Sequence, residues 1–439
     1  MEKSKRKTRK NSMKDWEIAE SKRRHNMWDE MKDKEMADIT REGLFNWIHE
    51  FDEVKPMRMK QDLQEAIDNC PTEIPKFKGR GIVMVAGGIN IGLNALMTVR
   101  LLRDQGCELP IQMWHLGPSE VNKGLFDIIK RYGVTFVDAY EVRKKYPMKV
   151  LNGWECKCYA ILHSPYEEVI FIDADNLTYK DPTYLLDSDQ FKSNDLYWTD
   201  IHDYVPERGY WDVLGCDKFE SPEWESGQIV TNKRRSWTAL NFCNWLCERG
   251  TEKYWKGPGA VHGDKEMFHW AYHLTETPYL LPEKRIATCP GTSRQHDHNG
   301  DLQFYHHWMN KMTYDKKPEL PEFPHEDKVI KYWEELHEEW NPYHDEMSEA
   351  DETLWKSMWG QKVHYHRIGH DGDRVMTLGD NGIITEGAGS MEVHWWVKDG
   401  KIVFVGQSGK TTCEFEKCKE GWFGRWNEFE KMLVCLEEL

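Results

Sequence analysis

The stretch "EEVIFIDADNLTYKDP", residues 167–182, runs apolar from Val169 to Ile172 and then stops on two carboxylates one residue apart, Asp173 and Asp175. A short β-branched and aromatic run bounded by polar residues predicts a buried strand. In an α/β sheet the carboxyl end of such a strand opens on the crevice where ligands bind. Side chains repeat every second residue in extended chain, so the two aspartates are expected on the same side. Two hard carboxylates suit one Mn²⁺ (or Mg²⁺), whose remaining positions suit diphosphate oxygens. A bare Asp-x-Asp is otherwise a solvated loop, and the strand context is what favours the metal reading.

Upstream, "GIVMVAGG" from Gly81 is a second apolar run, ending in glycines as a buried parallel strand does. "NIGLNALMTVRLLRDQG" follows with helical periodicity and a glycine stop, then "LPIQMWHLG", "SEVNKGLFDIIKRYG" and "VTFVDA" alternate strand, helix, strand. This alternation predicts an α/β domain with a mainly parallel sheet over residues 79–312. Residues 1–78 are charged and helix-permissive, with an amphipathic segment at 38–54 that Thr40 would cap. Residues 313–359 carry "KKPELPEFP" and a Trp- and Glu-rich helix and are expected to be a helical connector. From 360 to 439, "LGDNGII", "VKDGKIV" and "GQSGKTT" are hairpin turns between short strands, predicting a small antiparallel β module.

Composition narrows the function. The 439 residues have room for two or three domains, and 21 tryptophans exceed ordinary usage. Some of those fill core; a surplus also suits stacking on sugars or bases. The net charge of −16 argues against a protein that coats duplex nucleic acid. "MEKSKRKTRK" opposes that trend with six cations, which read as a solvated tail or a polyanion- or membrane-surface arm. No apolar h-region or membrane-length apolar run is evident, so a soluble, cytoplasmic protein without a membrane span is expected. The eleven cysteines are scattered, and Cys156/Cys158 and Cys243/Cys247 lack zinc-site spacing, so reduced thiols are expected.

"KCYAILHSPYEEVIFIDADN" resembles the metal-binding segment of GT-A-fold glycosyltransferases, and more narrowly the α-mannosyltransferase family of fungal glycan elongation. Lys157, Ser164, Glu168, Asp173, Asp175 and Asn176 stand in the matching places. "ESGQIVTNKRRSW" (225–237) and "GDKEMFHWA" (263–271) are similar to two further family blocks in the same order. The resemblance spans about residues 80–312. It implies a Rossmann-like GT-A sheet flanked by helices and a nucleotide-sugar-dependent hexosyltransferase, mannose being one candidate sugar, that retains anomeric configuration. The acceptor would be a glycan, a glycoconjugate or another hydroxyl. The similar fungal enzymes are membrane-anchored, so their acceptor class is not carried over, and a modified nucleic-acid base stays open as acceptor.

On this resemblance, Ala86, Gly87 and Gly88 in "VAGGIN", with Lys157, Asp173, Ala174 and Lys311, are expected around the nucleotide sugar. Glycines there let backbone approach a ligand closely. Glu225, Gln228 and Asp264 are candidates for the catalytic face, where a carboxylate or amide stabilises oxocarbenium-like charge. Asp264 at a helix start reads equally as an N-cap. GT-A enzymes often take a third metal ligand, usually histidine, from late in the domain, and "LQFYHHWMNK" (302–311) offers His306 or His307 beside Asp173 and Asp175. Trp395, Trp396, Trp422 and Trp426 read as core of the C-terminal module or as a sugar platform. The competing readings are a non-catalytic carbohydrate-binding protein on a transferase fold and a phosphate-handling hydrolase. Against the latter, the aspartate pair falls on about the fourth strand and not the first.

Overall fold

The computed structural model describes residues 62–439 apart from 202–220, 250–262, 368–372, 407–410, 427–432, 343–346, 419–420 and the single positions 290, 315, 341 and 381. The expected N-terminal extension lies outside the described residues, except for a helix over 62–68 and the irregular chain that follows it. Contacts divide the chain into two compact units, an α/β unit over Pro56–Asp345 and a β unit from residue 346.

The α/β unit is built on a seven-stranded sheet. Its strands are β1 (Arg80–Val85), β2 (Ile111–His115), β3 (Val134–Asp138), β4 (Glu168–Ile172), β6 (Asp195–Thr199), β7 (Trp224–Asn232) and β8 (Tyr279–Leu280), in the order β3-β2-β1-β4-β7-β6-β8. β1 to β4 are mutually parallel, whereas β7 runs antiparallel to both β4 and β6. The mainly parallel sheet with flanking helices expected from the sequence is present, with β7 as its reversed strand. Val83, Val169, Phe171 and Ile229 share one core cluster with residues of the helices α3 (Glu155–His163), α4 (Trp237–Arg249) and α5 (Lys265–Leu274). Strand alternation turns Ile82, Met84, Ile170 and Ile172 the other way, and they are equally buried. Both faces are therefore covered, which is why these strands read as unbroken apolar runs.

The sequence reading did not anticipate a second sheet of short strands, β5 (Asn176–Thr178), β9 (Ala287–Cys289), β10 (Thr292–His296) and β11 (Leu302–His306), in the order β5-β11-β10-β9. In it His306 pairs with Asn176. A polar stripe on the helix α1 (Ile89–Asp104), which packs beside the helix α2 (Lys123–Lys130), has members four residues apart and ties this layer down. Asn90 Oδ1 accepts from Tyr314 N–H (3.1 Å), and Asn94 exchanges hydrogen bonds with both backbone groups of Met312. Thr98 Oγ1 donates to the carbonyl of Ala174 (2.9 Å). Four-residue spacing puts all three side chains on one helix face.

Residues 313–359 are not the single connector expected. The helix α6 (Glu326–Glu339) packs on α1, where Arg100 lies over the Tyr332 ring and pairs with Glu335, and Tyr332 OH donates to Asp104. The helix α7 (Glu349–Ser357) belongs to the β unit, where Trp355 enters the core. Each amphipathic helix thus buries its apolar face in its own neighbour.

The β unit is an eight-stranded antiparallel sheet between Lys362 and Glu438. Asp399 and Gly400, both at positive φ, make the two-residue hairpin turn read from "KDGK", and Asp351 accepts from both of their N–H groups. Trp395, Trp422 and Trp426 are buried in the core beside Trp355, and Trp396 packs against it partly buried. The core reading of these tryptophans therefore holds.

Candidate active site

The site forms where β4 ends. The strand stops at Ile172, and Asp173 to Asp175 lie in a turn closed by Asn176 N–H donating to the Asp173 carbonyl (3.1 Å). The two aspartates therefore converge through a turn and not through strand alternation, which corrects the reason given above. The turn is pinned from three sides. Asp173 N–H donates to the Gly227 carbonyl (2.8 Å), Thr98 holds the Ala174 carbonyl, and His307 N–H donates to the Asp175 carbonyl (3.1 Å).

Carboxylate oxygens of Asp173 and Asp175 and a ring nitrogen of His306 lie within 4.8 Å of one another. His306 Nε2 is 3.4 Å from Asp175 Oδ1, and its Nδ1 is 3.6 Å from Glu225 Oε1. His307, the alternative ligand, is turned away: its Nδ1 meets the Asn310 carbonyl (3.2 Å) and its ring lies against Tyr305. Successive side chains at a strand end point to opposite faces, so only one of the adjacent histidines reaches the aspartates.

Glu225 is held by Gly227 N–H (2.8 Å), and its Oε1 stands 3.6 Å from the far nitrogen of His306, close enough for charge but not for a hydrogen bond. That departs from the catalytic-face position expected for it. Gln228 is fully buried, and its Oε1 accepts from Asn176 Nδ2 (2.6 Å), while its Nε2 has no hydrogen-bond partner. It braces the aspartate turn. Sequence reasoning missed Gly227, where an added Cβ would sit 2.7 Å from the His306 ring. The "ESGQ" block was the available signal, since a glycine between two functional polar residues marks a close approach.

Lys157, in the first turn of α3, is largely covered, its side chain 12% exposed, and is not a solvated helix lysine. Its Nζ is 2.7 Å from Asp173 Oδ2, 3.3 Å from Ser226 Oγ and 3.7 Å from Asp264 Oδ1. Asp264 occupies the N-cap position of α5 but makes no side-chain cap hydrogen bond, so it belongs to the site and not to the helix end. Lys311, half-exposed, reaches Asp175 Oδ2 at 2.6 Å. In the glycine turn Gly87 has a steric reason of its own. A Cβ there would lie 2.3 Å from Glu120 Oε2, so Glu120, bound to Leu116 N–H, is what requires the glycine. Gly88 sits at φ +70, and Ala86 is buried.

The electrostatics match a cation-ready cluster. Burial alone would raise the Asp175 carboxyl, but His306 and Lys311 hold it well below the usual range. Burial raises Asp173 and the Asp175 charge adds to that, against the pull of Lys157. Asp264 is pushed up to about 6, by burial first and then by Asp173. Burial would lower His306, yet Asp175 and Glu225 raise it to about 10, and Glu225 itself is lowered to about 2 against its burial. Two carboxylates and an imidazole backed by a carboxylate are a fitting donor set for a divalent ion such as Mn²⁺.

A ligating imidazole must be neutral, so binding has to displace the His306 proton. Mn²⁺ binding at pH 7 is therefore expected to release about one proton per ion, and affinity to rise by about tenfold per pH unit from 7 to 9. Titration calorimetry in buffers of different ionisation heat reads this. Heats independent of the buffer would contradict it.

These features define a class: an α/β domain with an acidic, cation-ready turn at the carboxyl edge of its sheet. The relatives say more. A family model described as "Mannosyltransferase putative" matches residues 79–222. The chain is 22% identical over 257 residues to alpha-1,2-mannosyltransferase MNN2 of Candida albicans, covering 47% of this chain and 42% of that protein. It is 25% identical over 295 residues to alpha-1,2-mannosyltransferase MNN2 of Saccharomyces cerevisiae, covering 57% and 48%. The chain thus resembles fungal mannosyltransferases and spans less than half the length of these two. Among solved structures, the galactosyltransferase LgtC bound to donor and acceptor sugar analogues is similar at 13% identity and TM-score 0.33, over 46% of this chain and 73% of that one. Among the described residues no helix is long and apolar enough to cross a membrane.

Proposed function

We propose that the α/β unit is a metal-dependent glycosyltransferase that moves a hexose, mannose in the first instance, from a nucleoside-diphosphate donor to a hydroxyl acceptor with retention. The observation that carries this reading is the convergence of Asp173, Asp175 and His306, from two different sheets, flanked by the cations Lys157 and Lys311. The likeness to proteins named alpha-1,2-mannosyltransferases supports the sugar.

Asp173, Asp175 and His306 would hold the ion, which when bound neutralises charge on the leaving diphosphate. Glu225 places negative charge beside His306. Half-exposed Lys311 is free to exchange Asp175 for a phosphate oxygen, because its long side chain already lies at the site's rim. Lys157 and Asp264 form a polar wall suited to sugar hydroxyls, and Asp264 is ionised above about pH 6.

A thermal-shift screen of nucleoside diphosphates and their hexose derivatives, with and without Mn²⁺, tests the reading. A matching donor at a hundredfold excess over Kd should stabilise the protein by about 2.7 kcal/mol, and only with the ion present. If no nucleotide shifts the transition in Mn²⁺, the proposal fails.

A further inference from the structure

A second cluster of metal-ligating side chains lies in the β unit, on the strands Lys362–Arg367 and Leu433–Glu438. These strands pair with His364 opposite Glu437 and His366 opposite Cys435. Val363, Tyr365, Val434 and Leu436 alternate with them and face the core. His364, His366 and Glu437 therefore share the opposite face of the sheet. One ligand atom of each lies within 4.8 Å of the other two.

The state of His366 is what points to a ligand. Its Nδ1 lies 2.7 Å from Asp373 Oδ2. With Nδ1 donating to that carboxylate, Nε2 is the nitrogen turned toward His364 and Glu437. Although it is turned away from the core, His366 is only 6% exposed, and its Nε2 has no hydrogen-bond partner. The facing Glu437 Oε2 stands 4.0 Å off, beyond hydrogen-bond reach. A buried ring nitrogen left unpartnered costs stability, whereas a metal on its lone pair satisfies it.

We propose that His364, His366 and Glu437 bind a divalent transition metal, zinc being the ion their chemistry fits best, with Asp373 positioning His366. Two neutral imidazoles and one carboxylate form a tetrahedral zinc set, with the fourth place left to water. Magnesium and calcium prefer all-oxygen surroundings and would discriminate against it. Zinc bonds of about 2.0–2.1 Å put tetrahedral ligand atoms roughly 3.3 Å apart. The partly exposed Glu437 side chain closes the remaining distance by a rotamer change. The bound ion clips the strand Leu433–Glu438 to the strand Lys362–Arg367, which lies far from it in sequence.

The test uses the full chain, stripped with chelator, carrying Asp173→Asn and Asp175→Asn so that the α/β cluster cannot contribute. Zinc alone is titrated in competition with a chromophoric chelator. The expected result is one zinc per chain. His364→Gln and Glu437→Gln, both at partly exposed positions, should each weaken binding at least tenfold with unchanged circular dichroism. Asp373→Asn should weaken it about 10–100-fold, as loss of a partner that orients a ligating histidine does. No zinc bound in the aspartate double variant, or undiminished binding in both His364→Gln and Glu437→Gln, overturns the proposal. Neither outcome bears on the transferase reading, which rests on the other cluster.

Discussion

Replacing Asp175 with asparagine is expected to lower sugar transfer by about a thousandfold, the scale of the several kcal/mol that a metal contributes to a departing anion. Asparagine keeps the shape and one neutral oxygen but removes the charge that faces both His306 and Lys311. The fold should survive. Lys311 is half-exposed and can turn to water, His306 keeps Glu225, and Asp173 loses a like-charged neighbour. Two measurements separate cause from collapse. Calorimetric Mn²⁺ affinity should fall with activity, while circular dichroism at assay temperature stays that of the parent protein, although loss of a buried charge lowers the thermal midpoint by a few degrees. Transfer that persists at parental rate in Asp175→Asn would remove the metal turn from the mechanism.

The largest effect on stability is expected at Asp195, which the sequence did not single out. It is fully buried at the head of β6. One oxygen meets the Arg235 guanidinium and Asn232 N–H, and the other accepts from Thr231, Ser236 and Tyr272. One carboxylate thus fastens β6, the turn after β7 and α5. Asp195→Asn keeps the volume but turns an amide toward groups that are all donors. Breaking one partner of a buried ionic network costs about 3–5 kcal/mol. The thermal midpoint should fall by roughly 10 °C in scanning calorimetry. A loss under about 1 kcal/mol would mean that the network carries no net stability. Because β7 also presents Glu225, Gly227 and Gln228, loosening this clasp is expected to weaken Mn²⁺ binding as well.

Much of this was legible in the chain. The apolar runs ending at Val85 and Ile172 are strands because both faces of the sheet are covered, and helix periodicity fills the gaps between them. Asp173 and Asp175 were picked out by residue type and strand context, Lys157, Asp264 and His306 by the resemblance of their blocks to a known family, and the structure brings them together. Other parts were not legible. β5 and β9 span three residues each, too short for any periodic signal, so the second sheet was missed. Gly87 reads as a phosphate turn, yet its constraint is the Glu120 side chain, a contact no local pattern reports. Glu225 reads as a catalytic carboxylate because it is an acid in a block that resembles a family's, but what it faces is an imidazole from another sheet.

By itself the sequence determined the fold class, the strand that ends on the aspartate pair, and the stock of carboxylates, lysines and histidines able to hold a cation. Those follow from periodicity and chemistry within a few residues. Only the tertiary structure decided that His306 and not His307 completes the cluster, that Glu225 stands behind it, and that His364, His366 and Glu437 meet on another sheet. The reason is physical. Which face a side chain takes is local, but which strand lies beside it is settled by pairing register and burial across segments far apart in the chain.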